Sequence, residues 1–436
     1  MYDVIIIGGG PAGYPCAIRC AQNGLKVCLV EDKDLGGVCL NRGCIPTKSL
    51  FSISCEVGAS RFKSIDKSVN YRWDKILSEV RSDVVMRLRM GVGFLLKQNG
   101  IDLKQARAEI TEPGAVKVGD EIIRCKNIVI ASGAQPCTPE ICRSDPRTLT
   151  SDGLWEMQEL PSSLAVIGGG VIGCEFASIF NKFGVDVTIY EMMDNLLPET
   201  DTEISGYLGK TLSGRGVKIF TGKKIESIEE IGQERILVTV GRQASVPLAG
   251  DAEIEIERGA VKTDSRLMTS QPGIYAAGDV NGKFQYAYVA TREGEVAAAN
   301  IAGGKAEVSY ENIPSAVFTD PEVGSCGMTE KQAKEAGIRF NVGRFPYSAL
   351  GKAYTDKHTE GFAKVLADSD SGRVLGIHIV GKGATEMVSL STLAVASQMD
   401  ISRLEDMLFC HPTYSEAIME AVEDTGNRSV HLPPKK

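Results

Sequence analysis

One layout occurs twice in this chain. Residues 3–31 read DVIIIGGGPAGYPCAIRCAQNGLKVCLVE, and residues 164–191 read LAVIGGGVIGCEFASIFNKFGVDVTIYE. Each is an apolar run, a G-x-G-x-x-G loop, a helical stretch, a glycine turn, a second apolar run and a closing glutamate. Gly8, Gly10, Gly13 and Glu31 map by a constant shift of 160 onto Gly168, Gly170, Gly173 and Glu191. One such loop is a weak signal. Two, each in a complete β–α–β unit with an acid ending the second strand, point to an α/β chain with two Rossmann-like dinucleotide-binding halves. The first glycine makes the tight turn, the second lets the backbone approach a pyrophosphate, and the third lets helix pack on strand. The pyrophosphate then rests on unpaired helix N-terminal amides, and the glutamate accepts from a ribose diol.

Two sites imply two cofactors. Glu191 is followed by Met192, Met193 and Asp194, with no arginine or lysine to meet a 2′-phosphate. Its carboxylate repels such a phosphate, which favours NAD over NADP. The first site, beside a cysteine pair at 39 and 44, is the natural place for FAD. Further along, GIYAAGDVNG (273–282) is an apolar strand ending at Asp279, which can reach a cofactor's ribityl or phosphate region. NIVIASGAQP (127–136) runs a strand into a small-residue turn at Gly133, where backbone and cofactor can meet closely.

The cysteine pair sits in GGVCLNRGCIPTK (36–48). In a regular helix, positions five apart point about 140° away from each other and lie too far apart for a disulfide. Cys39 and Cys44 can bond only if the backbone is distorted, which Gly43 and Pro46 permit. A strained short-loop disulfide is easier to reduce and suits a pair that cycles. Lys48 supplies a cation for a thiolate or a reduced flavin, though a solvated lysine is the commoner reading of such a residue. Cys137 and Cys142 repeat the spacing in CTPEIC without the glycines and lysine, and read as two packed or exposed thiols.

Composition narrows the alternatives. The 436 residues suit two to four domains, and the net charge of −8 argues against nucleic acid or an anionic membrane surface as partner. The longest apolar runs are strand-length, so no membrane span is expected. A strand-like run follows Met1 at once, leaving no room for a targeting peptide, and the expected location is the cytoplasm. The twelve cysteines are scattered, no C-x-x-C occurs, and the four histidines do not cluster near them, so no metal site is expected.

Thiol exchange needs a proton acceptor. His378 lies in the alternating strand VLGIHIVG and reads as a packed ring, His358 is in the polar DKHTE, and His431 is in a proline-ended tail. His411 stands in CHPTYSEAIMEA, with Pro412 fixing the backbone and a helix expected from Thr413. Glu416 can fold back on one ring nitrogen and leave the other to act as base. Thr413-x-x-Glu416 is also a capping box, which needs no histidine.

With both nucleotide motifs, the cysteine pair and HPTYSE in view, the sequence resembles the pyridine nucleotide–disulfide oxidoreductases. The likeness is greatest to the branch that oxidises dihydrolipoamide. It runs almost the full length, through IIIGGGPAGY, GGVCLNRGCIPTKSL, IVIASGAQP, VIGGGVIGCE, VTVGR, YAAGDVNG, FTDPEVGSCGMTE and HPTYSEAI. The resemblance implies that Cys39 exchanges with the dithiol substrate and that Cys44 contacts FAD. It makes His411 the acid–base residue, oriented by Glu416 and reaching the site from the other subunit of a homodimer. Lys48 and Glu175 become an ion pair beside the flavin. Gly8, Gly10, Gly13, Glu31, Ala106, Asp279 and Ala287 become FAD contacts, and Gly168, Gly170, Gly173, Glu191 and Gly241 NAD contacts. The implied partners are lipoyl domains of a 2-oxoacid dehydrogenase complex or the glycine-cleavage carrier protein.

One departure stands out. Between TGKKIESI (221–228) and ILVTVGR (236–242) the family usually carries a longer antiparallel meander, and here almost all of it is missing. The expected division is an FAD domain at 1–150 and 272–310, a shortened NAD domain at 151–271, and an α+β interface domain at 311–436. Two rivals stay open: a related reductase acting on another disulfide, and a flavoprotein that serves as redox sensor or binding subunit.

Overall fold

Apolar runs flanked by helices build two parallel sheets. The computed structural model describes residues 1–58, 61–62, 69–248 and 253–434. In the first sheet Tyr2–Ile7 pairs in parallel with Val27–Glu31 on one side and Glu121–Ile130 on the other. Asp102–Gln105 extends one edge, and Ile274–Ala276 returns late in the chain to pair in parallel with Glu121–Ile130. All five residues of Val27–Glu31 are buried, as expected for a strand covered on both faces. The first half of Glu121–Ile130 turns away to join an antiparallel meander with Ala108–Glu112 and Ala115–Val118.

The second sheet runs Lys218–Phe220, Asp186–Tyr190, Ser163–Ile167, Arg235–Val238, Thr148–Thr150, all parallel. Two chain segments between the sheets, Ala134–Pro136 and Arg242–Ala244, pair as an antiparallel ribbon. Ile225 and Ile231, with Ile228 beside them, pack on Ala165, Ile167, Ile236 and Val238 of the second sheet, and Cys142 joins the same cluster. One turn carrying isoleucines thus packs on the second sheet. A capping box at Ser227 and Glu230 closes that turn.

The third sheet is antiparallel, in the order Ser315–Val317, Val323–Gly327, Val374–Gly381, Gly361–Asp368, Phe340–Pro346. Helices Ala384–Ala396 and Glu416–Asp424 join its core through Met387, Val388, Val395, Ile418 and Val422. His378 is fully buried in this sheet with Nε2 against the Met328 carbonyl at 2.9 Å, a packed ring. Among the described residues no helix is long and apolar enough to cross a membrane.

Candidate active site

A cavity of about 1560 Å³ lies between the two parallel-sheet units. It is lined from one end by Gly8, Gly10 and Glu31, in the middle by Cys39, Cys44, Lys48 and Glu175, and from the other end by Gly168, Gly170 and Glu191. Ala106, Gly133, Gly241, Asp279 and Ala287 line it as well. Gly13 and Gly173 are not among the described lining residues, and their surroundings explain why. A Cβ at Gly13 would lie 1.8 Å from the Gly8 carbonyl oxygen, and one at Gly173 1.9 Å from that of Gly168. These glycines let helices Gly13–Gln22 and Val171–Lys182 press on their strands. Gly8 and Gly168 turn at φ of 106° and 104°, which side chains disfavour.

The two loops match in their hydrogen bonds. One Glu31 oxygen accepts from the Gly9 amide at 2.7 Å and the other from the Lys33 amide at 2.8 Å. Glu191 does the same with Gly169 at 2.6 Å and Met193 at 2.7 Å. Burial pushes the Glu31 carboxyl up, opposed by those amides. Neither following helix has a side-chain cap at its N-terminus. A Cβ at Gly170 would meet nothing within 4 Å, and one at Gly10 only Gly37 Cα, at 3.7 Å. Free helix amides behind an open cradle suit a dinucleotide pyrophosphate at each end, so the residues fit FAD and NAD. Two cations near Glu191 escaped the sequence reading. Parallel pairing of Lys218–Phe220 brings Lys223 and Lys224 to the cavity, the Lys223 amide donating to the Glu191 carbonyl at 2.9 Å. The Lys223 ammonium is taken by Glu230.

The redox segment is two helices with a break. Helix Gly37–Asn41 carries Cys39, and helix Cys44–Val57 starts at Cys44. Between them Arg42 has φ −142° and Gly43 has φ −119°, ψ −112°, neither helical. The break brings the two free thiols close enough for each to shift the other's ionisation. Asn41 ties off the first helix: its Nδ2 donates to the carbonyls of Leu35 and Gly37 at 2.9 and 2.8 Å, and its Oδ1 accepts from Arg89 Nε at 2.9 Å.

The sulfurs are unequal. The Cys39 hydrogen bond holds the Cys44 thiol down at about 7, burial opposes this, and the Lys48 ammonium adds to the lowering. Cys39 is pushed well above the ordinary thiol range, first by the same hydrogen bond and then by burial. The pair therefore keeps one proton on Cys39 while Cys44 becomes the thiolate. Lys48 lies one helical turn after Cys44, on the same face. Its Nζ donates to both Glu175 oxygens at 2.8 and 2.7 Å and sits 4.7 Å from the Phe318 ring centroid. Glu175 is buried in helix Val171–Lys182 and also accepts from the Phe318 amide at 3.0 Å, so this ion pair spans the two units.

Other positions near the site had no local sequence signal. Tyr14 follows Gly13, and its phenol is pushed up by burial and by the neighbouring Cys39. Glu293 is fully buried and accepts from the Gly278 amide, Asn281 Nδ2 and the Tyr310 hydroxyl at 2.5, 2.9 and 2.6 Å. It thereby fixes the turn that carries Asp279, whose carboxyl burial pushes up.

His411 and Glu416 form their dyad elsewhere. His411 Nδ1 meets Glu416 Oε1 at 2.8 Å, with the ring 77% exposed. Neither is among the described residues lining the cavity. The helix begins at Glu416, three residues later than the sequence reading placed it. The reason lies in the second Glu416 oxygen, which accepts from the Thr413 amide at 2.7 Å, while the Thr413 hydroxyl turns to the Cys410 carbonyl and Ser415. Glu416 therefore serves the imidazole and the backbone together, and Thr413 caps nothing. His431 pairs with Glu420, and His358 is half-buried near Arg61 and Asp320.

Comparison with known proteins agrees with this architecture. Residues 2–294 match the family described as pyridine nucleotide-disulphide oxidoreductase, and residues 313–422 match its dimerisation domain. A dihydrolipoyl dehydrogenase of Chlamydia muridarum is 34% identical, covering 100% of this chain and 99% of its own. One from Thermus scotoductus is 38% identical, covering 99% of each. The HOCl-induced flavoprotein disulfide reductase RclA from Escherichia coli superposes with a TM-score of 0.89 at 30% identity, covering 97% of this chain and 99% of its own. The chain belongs to the pyridine nucleotide-disulphide oxidoreductases.

Proposed function

We propose that the chain oxidises protein-bound dihydrolipoamide with NAD, through FAD and the Cys39–Cys44 pair. The observation that carries this is the pairing of two unequal thiols with Lys48 and Glu175 inside a cavity that has a dinucleotide cradle at each end. Full-length relatives at 34–38% identity that are dihydrolipoyl dehydrogenases support the substrate.

In the oxidised protein a substrate thiolate attacks the Cys39 sulfur of the Cys39–Cys44 disulfide and expels Cys44 as a thiolate. The second substrate thiol then displaces Cys39. Lipoamide leaves as a disulfide, and the chain keeps both electrons as a dithiol. His411 of a second copy takes the substrate proton at Nε2, because Nδ1 is held by Glu416. Lys48 and the Cys39 thiol stabilise the Cys44 thiolate against reprotonation. Glu31 and Asp279 would hold FAD, and Glu191 and Gly241 NAD; bound FAD supplies the two-electron chemistry between dithiol and nicotinamide.

A homodimer follows from the dimerisation-domain match and from a proton acceptor displaced from its own sulfurs. Lipoyl domains of a 2-oxoacid dehydrogenase complex or a glycine-cleavage carrier are the matching partners. The same reading divides the chain into an FAD domain at 1–150 and 272–310, an NAD domain at 151–271 and an interface domain at 311–436. The return of Ile274–Ala276 to the first sheet supports it. The test is NADH-linked reduction of lipoamide compared with glutathione disulfide. Turnover on lipoamide is expected. Turnover on glutathione disulfide alone assigns another disulfide substrate, and none on either favours a sensor.

A further inference from the structure

The redox segment of the first unit is held at its midpoint by the second. Arg42 stands between the cysteines, at the break. In a continuous helix its carbonyl would accept from the amide of residue 46, but Pro46 has no N–H. The donor comes from across the molecule: Trp155 Nε1 reaches the Arg42 carbonyl at 2.7 Å. Trp155 is 4% exposed, and its own carbonyl accepts from Arg81. It lies in the 3₁₀ turn Gly153–Glu156, just after the edge strand Thr148–Thr150 of the second sheet. Asp152, one residue before that turn, faces Arg42 Nε at 3.5 Å as a charge contact only, since Nε makes no hydrogen bond among the described residues. Asp152 also reaches Arg242 at 3.4 Å, and Arg242 donates to the Ala134 carbonyl at 2.6 Å in the ribbon between the units.

We propose that Trp155 is a positioning residue for the dithiol, acting through the Arg42 carbonyl, with Asp152 as its weaker electrostatic partner. This rests on Cys39 and Cys44 being the redox pair. A partly buried carbonyl left without a donor is destabilising, so losing the indole N–H drives Arg42 to seek another partner. The break then relaxes, the sulfurs part, and the hydrogen bond that favours the Cys44 thiolate weakens. Because the donor belongs to the second unit, a shift of that unit against the first is felt at the sulfurs.

The test is Trp155→Phe, which keeps the ring and removes the donor, in the full chain with its flavin. Iodoacetamide alkylation of Cys44 is followed against pH in the reduced protein, with flavin content and melting measured alongside. The midpoint should rise from near 7 towards the ordinary thiol range. The rate at pH 7 should fall about threefold at unchanged flavin content. The roughly fivefold change in ionisation expected for one hydrogen bond lowers the thiolate fraction there from about one half to about one sixth. An unchanged Cys44 profile overturns the proposal, including when melting falls, since that would be a structural role alone. If Trp155→Phe does not fold, 3-benzothienylalanine at 155 replaces the N–H by sulfur at nearly constant shape. The same shift is expected, and its absence again overturns the proposal. A Cys44 without a low midpoint in the unsubstituted protein would overturn the redox-pair reading itself, and this inference with it.

Discussion

The chain has two cysteine pairs at the same five-residue spacing, Cys39–Cys44 and Cys137–Cys142, and the fold treats them in opposite ways. In the first, a break at Arg42 and Gly43 turns the sulfurs together, and Lys48 approaches on the following helical turn. In the second, Cys142 lies in the short helix Glu140–Arg143 and is fully buried among Ile225, Ile231 and Ile236. Burial, then the Asp145 charge, pushes its thiol up, where Lys48 and a partner thiol hold Cys44 down. Spacing does not decide what a cysteine pair does. The backbone between the sulfurs and the nearest charge decide it.

The largest expected effect separates the pairs outright. Cys39→Ser or Cys44→Ser should lower dihydrolipoamide turnover by roughly 10³-fold or more, since each removes a sulfur from the exchange. Cys142→Ser should leave turnover within about twofold, as expected for a residue outside the chemistry. Comparable losses from both pairs would erase the distinction.

Alkylation sharpens the comparison through pH. The reactive thiolate of Cys44 should persist above about 7 and be lost as pH falls below it. Cys142, buried and raised, should stay unreactive across the same range in the folded protein. Peptide mapping after brief iodoacetamide treatment at several pH values reads both at once. Equal labelling at pH 7 would remove the electrostatic difference.

Lys48→Met tests the charge itself. The Cys44 profile should shift to higher pH, and turnover should fall about ten- to a hundredfold, the usual range for a lost electrostatic contact in a reaction centre. It also strands the buried Glu175 carboxylate, at a stability loss of about 3 kcal/mol in denaturant unfolding. A Lys48→Met protein with the original Cys44 profile would assign the lowering to Cys39 alone. The smallest effect belongs to Cys142→Ala, which leaves a small void under Ile225 and Ile231. A loss of about 1 kcal/mol at unchanged turnover is expected, measured by urea unfolding.

What the sequence made legible followed from backbone demands. The turn at Gly8, the closed approach at Gly13 and the acid at Glu31 have fixed local offsets, so a repeat reveals them. The α/β class and the family followed from the same offsets. Tertiary contacts had no such signal. Trp155 meets Arg42 from 113 positions away, Arg89 meets Asn41 from 48, and Glu293 meets Gly278 from the next helix. Lys223 reaches Glu191 only because two strands pair in parallel. The helix starts at Glu416 and not at Thr413 because a capping box and a histidine clamp both draw on Glu416. Only the observed hydrogen bonds show that Glu416 takes both tasks.

On the proposed reading, the exposed imidazole at His411, held by Glu416 and outside the cavity that holds its own sulfurs, makes each complete centre a shared possession of two chains. A chain lacking Cys39 still lends a working base, and a chain lacking His411 still offers working sulfurs. Mixed and allowed to exchange subunits, two inert variants would revive each other, and dilution that separates the copies would silence the parent enzyme without altering a single covalent bond.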